Sequence, residues 1–229
     1  NRVDLTVIGP DDPLASGIVD LFTSEKLRAF GPDKSAARIE SSKIFAKELM
    51  RTQKIPTAEA RTFSNSTDAL DYCERSRYPV VIKADGLALG KGVVIAANPA
   101  TARSTIDDMM NHARFGDAGR RIVMEEFLHG KECSLHVLLD GKNYLLLESA
   151  RDHKRALDGD QGPNTGGMGA FSPANNWNSK LQSRFDTEIM RPLLRGLIQE
   201  GVTFRGLLYP GLIITSDGPR VLEFNCRFG

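Results

Sequence analysis

The sequence predicts an α/β chain that opens on a parallel sheet and continues as α+β. Three observations predict it. The apolar run at residues 5–8 ends at Gly9-Pro10, a helical stretch follows at 18–22, and a second short strand at Ala29-Phe30 precedes Gly31-Pro32. Such β-α-β alternation calls for parallel strands. From residue 80 onward, β-branched runs are separated by glycine-rich or Asp-Gly turns, which join antiparallel neighbours. Helical periodicity returns between these runs. From about residue 60 the texture changes.

Each element has a local cause. One long helix is expected within 35–50, with Ile39, Phe45, Ala46, Leu49 and Met50 at spacings near 3.6. A helix at 68–75 precedes the strand Val80-Val81-Ile82, and a glycine-rich loop leads to a second strand at 93–97. Asn98-Pro99 is an N-cap and first-turn pair for a helix to about residue 113. A strand at 122–124 follows. A hairpin of 133–139 with 143–147 is expected around Asp140-Gly141. Residues 151–176 are polar and glycine-rich, too long for a plain connection. Helical spacing resumes at Leu181, Phe185, Ile189, Leu193, Leu197 and Ile198, and Pro192 should kink or divide that helix. A last hairpin pairs 211–215 with 220–224.

Composition removes several classes of function. Thirty basic against 29 acidic side chains leave a net charge of +1, which argues against a dedicated nucleic-acid binder. No run approaches 18 apolar residues, so no membrane helix is expected, and no targeting segment is visible. Cys73, Cys133 and Cys226 are odd in number and form no paired motif. Three buried thiols in a reducing, cytoplasmic setting fit this pattern better than disulfides or zinc. The chain begins without Met close before one strand and stops directly after another, so it reads as a piece truncated at both ends.

Four segments carry chemistry. Lys83-Ala84-Asp85-Gly86-Leu87-Ala88-Leu89-Gly90-Lys91-Gly92 fails the P-loop template, because three residues rather than four separate Gly86 from Gly90, and Gly92 follows Lys91 where Ser or Thr should stand. It joins two strands, so it should be a glycine-rich flap whose N–H groups approach phosphate, with Lys83 beneath it as a compact cation. In Val221-Leu222-Glu223-Phe224-Asn225-Cys226-Arg227, strand alternation turns Leu222, Phe224 and Cys226 one way and Glu223, Asn225 and Arg227 the other. A carboxylate and an amide oxygen two residues apart suit Mg²⁺, and Arg227 suits a phosphoryl group. Glu125-Glu126-Phe127-Leu128, with Glu132, suits a purine base and a ribose. Asp152-His153-Lys154-Arg155, with Gly162-Pro163-Asn164-Thr165-Gly166-Gly167-Met168-Gly169, suits an anion. No Ser or Cys nucleophile is spaced beside His153. Each segment alone is also compatible with an ordinary surface turn, strand or loop.

Together these segments resemble the ATP-grasp family, and within it the phosphoribosylamine–glycine ligases of purine biosynthesis. The resemblance is carried by Gly9-Pro10 with Pro13-Leu14-Ala15, by Ser42-Lys43 with Phe45-Ala46-Lys47, and by the four segments above, in order along nearly the whole chain. It implies an ATP-grasp fold over 39–229, with a lid subdomain at about 60–127, preceded over 1–38 by the remainder of a parallel-sheet N-terminal substrate domain. It also implies the ATP-dependent joining of glycine to 5-phosphoribosylamine through a glycyl phosphate, with ADP and phosphate released. Lys43 and Lys83 would contact ATP phosphates, and Gly90, Lys91 and Gly92 would close over them. Glu125, Glu126, Phe127 and Leu128 would hold adenine, and Glu132 the ribose. Glu223 and Asn225 would bind Mg²⁺ or Mn²⁺. Arg227 would steady the transferring phosphoryl group or the acyl phosphate, and Lys83, Arg227 and Lys154 would be the catalytic residues. Asp152, Lys154, Asn164, Thr165, Gly166, Gly167, Met168 and Arg227 would surround the small-molecule substrates.

Four positions depart from the family pattern: Asp11 for Glu, Lys131 for an acid, Arg151 for Gln and Phe171 for Tyr. None is a proposed ATP or metal ligand. The missing family segments predict that residues 1–229 alone keep much of the ATP site and little turnover. Two other functions fit the residues: another ATP-grasp carboxylate–amine ligase, and a nucleotide-binding module without turnover.

Overall fold

The structure is a computed structural model. It describes residues 3–88, 91–159, 161–165 and 167–228, with backbone only at 155, 163 and 164. Strand β1 (Thr6–Val7) lies parallel to β2 (Ala29–Phe30), with helices α1 (Asp11–Ser16) and α2 (Ile18–Ser24) between them. This is the expected parallel opening, with α1 an addition to it. Ile8, Leu14 and Ala37 form a small core there.

The single helix expected at 35–50 is two: α3 (Lys34–Ser41) and α4 (Lys43–Thr52). The periodicity is right, but Ser42 is extended (φ −134°) and its side chain accepts the N–H of Phe45. A serine that caps gains a backbone bond it cannot make inside a helix. Asp85 strengthens the break by accepting Ile44 N–H at 2.8 Å and Ser42 Oγ at 3.1 Å.

A four-stranded antiparallel sheet follows, in the order β3 (Ala60–Phe63), β6 (Ile122–Glu126), β4 (Val80–Ala84), β5 (Val93–Ala96). Helices α5 (Ser66–Cys73) and α6 (Pro99–Ile106) cover one face. Asn98 caps α6 by accepting Thr101 N–H, and a π-helical turn extends it through Asn111. Ile82, Ala84, Ile106, Met109, Ile122 and Met124 form a core separate from that of the remaining chain.

The second large sheet runs β15 (Gly218–Asn225), β14 (Arg205–Thr215), β8 (Val137–Asp140), β9 (Tyr144–Leu146), with β7 (Lys131–Ser134) also on β14. The strand expected at 133–139 is thus divided. The division lies opposite Pro210, which has no N–H for the ladder; Pro210 O instead accepts Leu135 N–H. Residues 151–171 carry two short antiparallel ribbons, β10 (Arg151–Asp152) with β13 (Ala170–Phe171) and β11 (Arg155–Leu157) with β12 (Gln161–Asn164). Helix α7 (Ser179–Arg184), a π-helical segment (Phe185–Met190) and α8 (Arg191–Gln199) follow, and Pro192 stands in the first turn of α8. The backbone stays helical at Arg184, Phe185, Met190 and Arg191, so the expected division does not occur; a π-helical turn stands where the proline interrupts the hydrogen-bond ladder. Phe185, Ile189, Leu193 and Leu197 join α4 and this sheet in the main core. Among the described residues no helix is long and apolar enough to cross a membrane.

Candidate nucleotide and metal site

The two sheets meet through three buried charges. Lys83 on β4, Glu125 on β6 and Lys47 on α4 are 6%, 4% and 8% exposed. Lys83 Nζ lies 3.0 Å from Glu125 Oε2, and Lys47 Nζ lies 3.2 Å from Glu125 Oε1. Lys47 also donates to Thr57 Oγ1 at 2.8 Å. Two cations about one anion leave the cluster with a net positive charge. A buried excess charge is costly unless a partner satisfies it, so the cluster suits an anion. Burial pulls the Lys47 ammonium below its usual range, against the attraction of Glu125. Lys43, at the start of α4, is lowered by burial as well, with Glu223 opposing that shift and Lys83 adding to it. Its Nζ donates to Gly86 O at 3.2 Å.

Lys83 reaches the other sheet directly, donating to Leu222 O at 2.9 Å. That carbonyl is free because of a β-bulge. Gly211 pairs with Glu223 and Leu212 with Val221, which leaves Leu222 as the extra residue. The bulge corrects the simple alternation. Val221, Phe224 and Cys226 are buried, while Leu222 is half-buried and outside the core. Glu223, Asn225 and Arg227 still share the half-exposed face, as alternation predicts. The segment before β3 is pinned to the same strand, since Thr57 Oγ1 donates to Val221 O at 2.7 Å and Pro56 O accepts Val221 N–H.

Asn225 donates through Nδ2 to Tyr209 O at 3.4 Å, and its Oδ1 lies 3.4 Å from Arg227 Nη2. Arg227 also reaches Glu40 of α3, whose Oε1 is 3.6 Å from Nε. Burial raises the Glu40 carboxyl to about 7, against the Cys226 N–H and the Arg227 charge. Lys154 Nζ sits 3.2 Å from Glu132 Oε2. Burial pulls its ammonium down, but Glu132, Glu223 and Tyr209 together outweigh it and leave the group raised. Glu223 therefore lies within electrostatic reach of Glu40, Lys43 and Lys154.

The remaining expected residues are placed as follows. Glu125 turns its carboxylate to the lysines, with Oε1 off the line of a hydrogen bond, while Glu126 faces outward and accepts Glu59 N–H. Phe127 and Leu128 are half-buried, and Phe127 meets His129 edge-on. Lys91 is exposed. Gly92 is buried, and a Cβ there would stand 2.6 Å from that of Ala88. Thr165 donates through Oγ1 to Lys154 O at 2.9 Å, and a Cβ on Gly167 would meet the Asp152 carboxylate at 2.9 Å. Met168 is 62% exposed. Gly90, Gly166 and the Asn164 side chain lie outside the described residues.

Three residues of this site escape sequence reasoning: Glu40, Lys47 and Asp85. Lys47 carried a signal, since it falls inside the apolar arc of Ala46, Leu49 and Met50 on α4 and a lysine there needs a partner. Glu40 and Asp85 become legible only through tertiary contacts.

Metal chemistry follows from the donors. Glu223 and Asn225 offer two hard oxygens. Among the described residues no group of three or more His, Cys, Asp or Glu side chains could hold a metal ion. Two protein oxygens, completed by phosphate and water, fit the preference of Mg²⁺.

Lys83 of one sheet, with Lys47 of α4 beside it, meets a second sheet that carries an acid–amide–guanidinium row; the match to a family ATP-grasp domain makes this an ATP-grasp chain, and solved structures agree on the fold. A biotin carboxylase from Campylobacter jejuni superposes with a TM-score of 0.78 at 16% identity, over 99% of this chain and 49% of that one. The chain belongs to the phosphoribosylglycinamide synthetase family: the family's ATP-grasp (A) domain matches residues 41–229 and its N domain residues 1–40. The phosphoribosylamine–glycine ligase of Thermotoga maritima superposes with a TM-score of 0.85 at 33% identity, over 100% of this chain and 56% of that one. The enzymes of that name from Ralstonia nicotianae and Halalkalibacterium halodurans are 53% and 50% identical, over 99% and 100% of this chain. The chain spans about half the length of the curated relatives it matches, 54% in both cases.

Proposed function

We propose that this chain supplies the ATP site of an enzyme that joins glycine to 5-phosphoribosylamine, giving glycinamide ribonucleotide, ADP and phosphate. The observation that carries the proposal is the closure of the two walls on each other, with Lys83 Nζ 2.9 Å from the Leu222 carbonyl beside Glu223. The names borne by the relatives supply the substrates.

Glycine's carboxylate oxygen is a poor leaving group and must be activated. Transfer of the terminal phosphoryl group of ATP to that oxygen gives glycyl phosphate. The amine of phosphoribosylamine then attacks the carbonyl carbon, and phosphate leaves. Lys43 and Lys83 hold phosphate oxygens, and the excess positive charge beneath them favours the triphosphate. Glu223 and Asn225 would hold Mg²⁺ or Mn²⁺, and the ion would supply positive charge against that developing on the transferred phosphoryl group. Arg227 meets the moving phosphoryl group from the far side. Lys154, poised between Glu132 and Glu223, faces the same cleft and steadies negative charge on phosphate or ribose. Glu126, Phe127, Leu128 and Glu132 take the nucleoside. Asp152 and the 164–168 loop take the amine substrates. The 60–127 subdomain acts as the lid, and the protein works in the cytoplasm.

The test is ADP release by the intact protein with ATP and Mg²⁺. Release that needs both glycine and phosphoribosylamine supports the reading. Release driven by a different acid and amine assigns another ATP-grasp ligase, and tight ATP binding without turnover assigns a binding module.

A further inference from the structure

Glu40 has no role in the chemistry above, yet it is buried within the site. It stands at the end of α3, next to the Ser42 break, against the end of β15. Its Oε2 accepts the Cys226 N–H at 2.6 Å, and its Oε1 lies 3.6 Å from Arg227 Nε. Its side chain is only 9% exposed. Asp11 and Glu223 are within electrostatic reach, as is Lys43. A carboxylate buried near two others persists only where a cation or a donor holds it. Arg227 and the Cys226 amide are those partners.

The consequence falls on Arg227. A guanidinium reads phosphate through a rigid planar fork, so its aim decides its use. Glu40 draws on Nε and leaves Nη1 and Nη2 with contacts at 3.1 Å to Phe228 O and 3.4 Å to Asn225 Oδ1. The longer of these is weak and is readily exchanged for a charge-assisted bond. We propose that Glu40 is a positioning residue that aims the Arg227 fork at the outermost phosphate of a nucleoside triphosphate, and so lets the site tell triphosphate from diphosphate. The inference rests on the ATP-dependent reading and deepens it: Glu40 acts through Arg227 and the main chain at Cys226.

The test compares Glu40→Gln with wild type in the intact protein, by calorimetric titration with a non-hydrolysable ATP analogue and with ADP, both with Mg²⁺. The titrations are run well above pH 7, where Glu40 is ionised; glutamine then keeps an oxygen for the Cys226 amide and removes the charge facing Arg227. The expected result is a loss of about tenfold in affinity for the triphosphate, with ADP affinity unchanged. Arg227→Lys should give a similar loss, and the double variant no more than either single one. Glu40→Asp, which keeps the charge, should recover part of the preference and serves as the second variant if glutamine prevents folding. An equal loss for both nucleotides, or full additivity with Arg227→Lys, would make Glu40 a structural clamp and overturn the proposal. Failure of wild type to bind either nucleotide would instead overturn the ATP reading beneath it.

Discussion

At the scale of single residues, the account turns on Lys47, Lys83 and Glu125. Their charges do not cancel, and their burial makes each substitution informative. Lys83→Ala leaves Glu125 with Lys47, one cation for one anion. The fold should survive, and ATP affinity should fall at least tenfold, since a buried charge-assisted contact is lost. Unchanged affinity in a nucleotide titration would take Lys83 out of the site. Glu125→Gln does the reverse, leaving two buried ammonium groups with no anion between them. It should cost about 3 kcal/mol of stability, read from the denaturant midpoint; a loss below roughly 0.5 kcal/mol would mean that water reaches the cluster. The sequence carried much of this site. Lys83 stands beside a glycine loop, and Glu223, Asn225 and Arg227 lie on a strand whose alternation turns them to one face, so local pattern singles them out; Lys43 was named only through the family resemblance. Glu40 and Asp85 were not, because neither charge has a local partner in sequence; each is explained by a contact some 40 residues away or more.

At the scale of elements, the break at Ser42 and the bulge at Leu222 do what regular periodicity cannot. The break lets α4 begin at Lys43, whose main-chain N–H donates to Asp85 O at 3.0 Å. The start of α4 is thereby fixed to the glycine-rich segment after β4. Ser42→Ala removes the side-chain cap on Phe45 N–H and should cost about 1 kcal/mol, visible as a fall in Tm of roughly 2–4 °C for a domain of this size. No change in Tm would mean that Asp85 alone caps α4. Periodicity read from sequence ran straight through Ser42, because its extended backbone depends on Asp85 in another element. Alternation ran straight through Leu222 for the same kind of reason: a bulge adds a residue to the strand without altering its composition. The cap at Asn98 and the Asp140-Gly141 turn were legible, since their causes lie within two or three residues.

At the scale of the molecule, two sheets with separate cores are joined, among the described residues, by Lys83 to Leu222 O, Lys47 to Glu125, Thr57 and Pro56 to Val221, and Arg220 to Glu126, with Lys43 held to Asp85 beside them. A ligand held by both walls should tighten that junction. Mg²⁺-ATP at a hundred times Kd should stabilise the protein by about 2.7 kcal/mol, or roughly 5–10 °C in Tm. Glu223→Gln should remove the metal-dependent part of the shift, and an undiminished shift would exclude Glu223 as a metal ligand. The strands at 80–82, 93–97 and 122–124 and the last hairpin were foreseen from local signals, but the edge strand at 60–63 and the order of strands within each sheet were not. Their closure on one another depends on buried charges drawn from three elements, which no local pattern encodes. The most direct measurement is therefore a crystal structure of the intact protein with Mg²⁺ and a non-hydrolysable ATP analogue. The account predicts phosphate oxygens on Lys83 and Lys43, the metal on Glu223 and Asn225, and Arg227 on the terminal phosphate. A nucleotide bound elsewhere, or a metal that touches neither Glu223 nor Asn225, would contradict it.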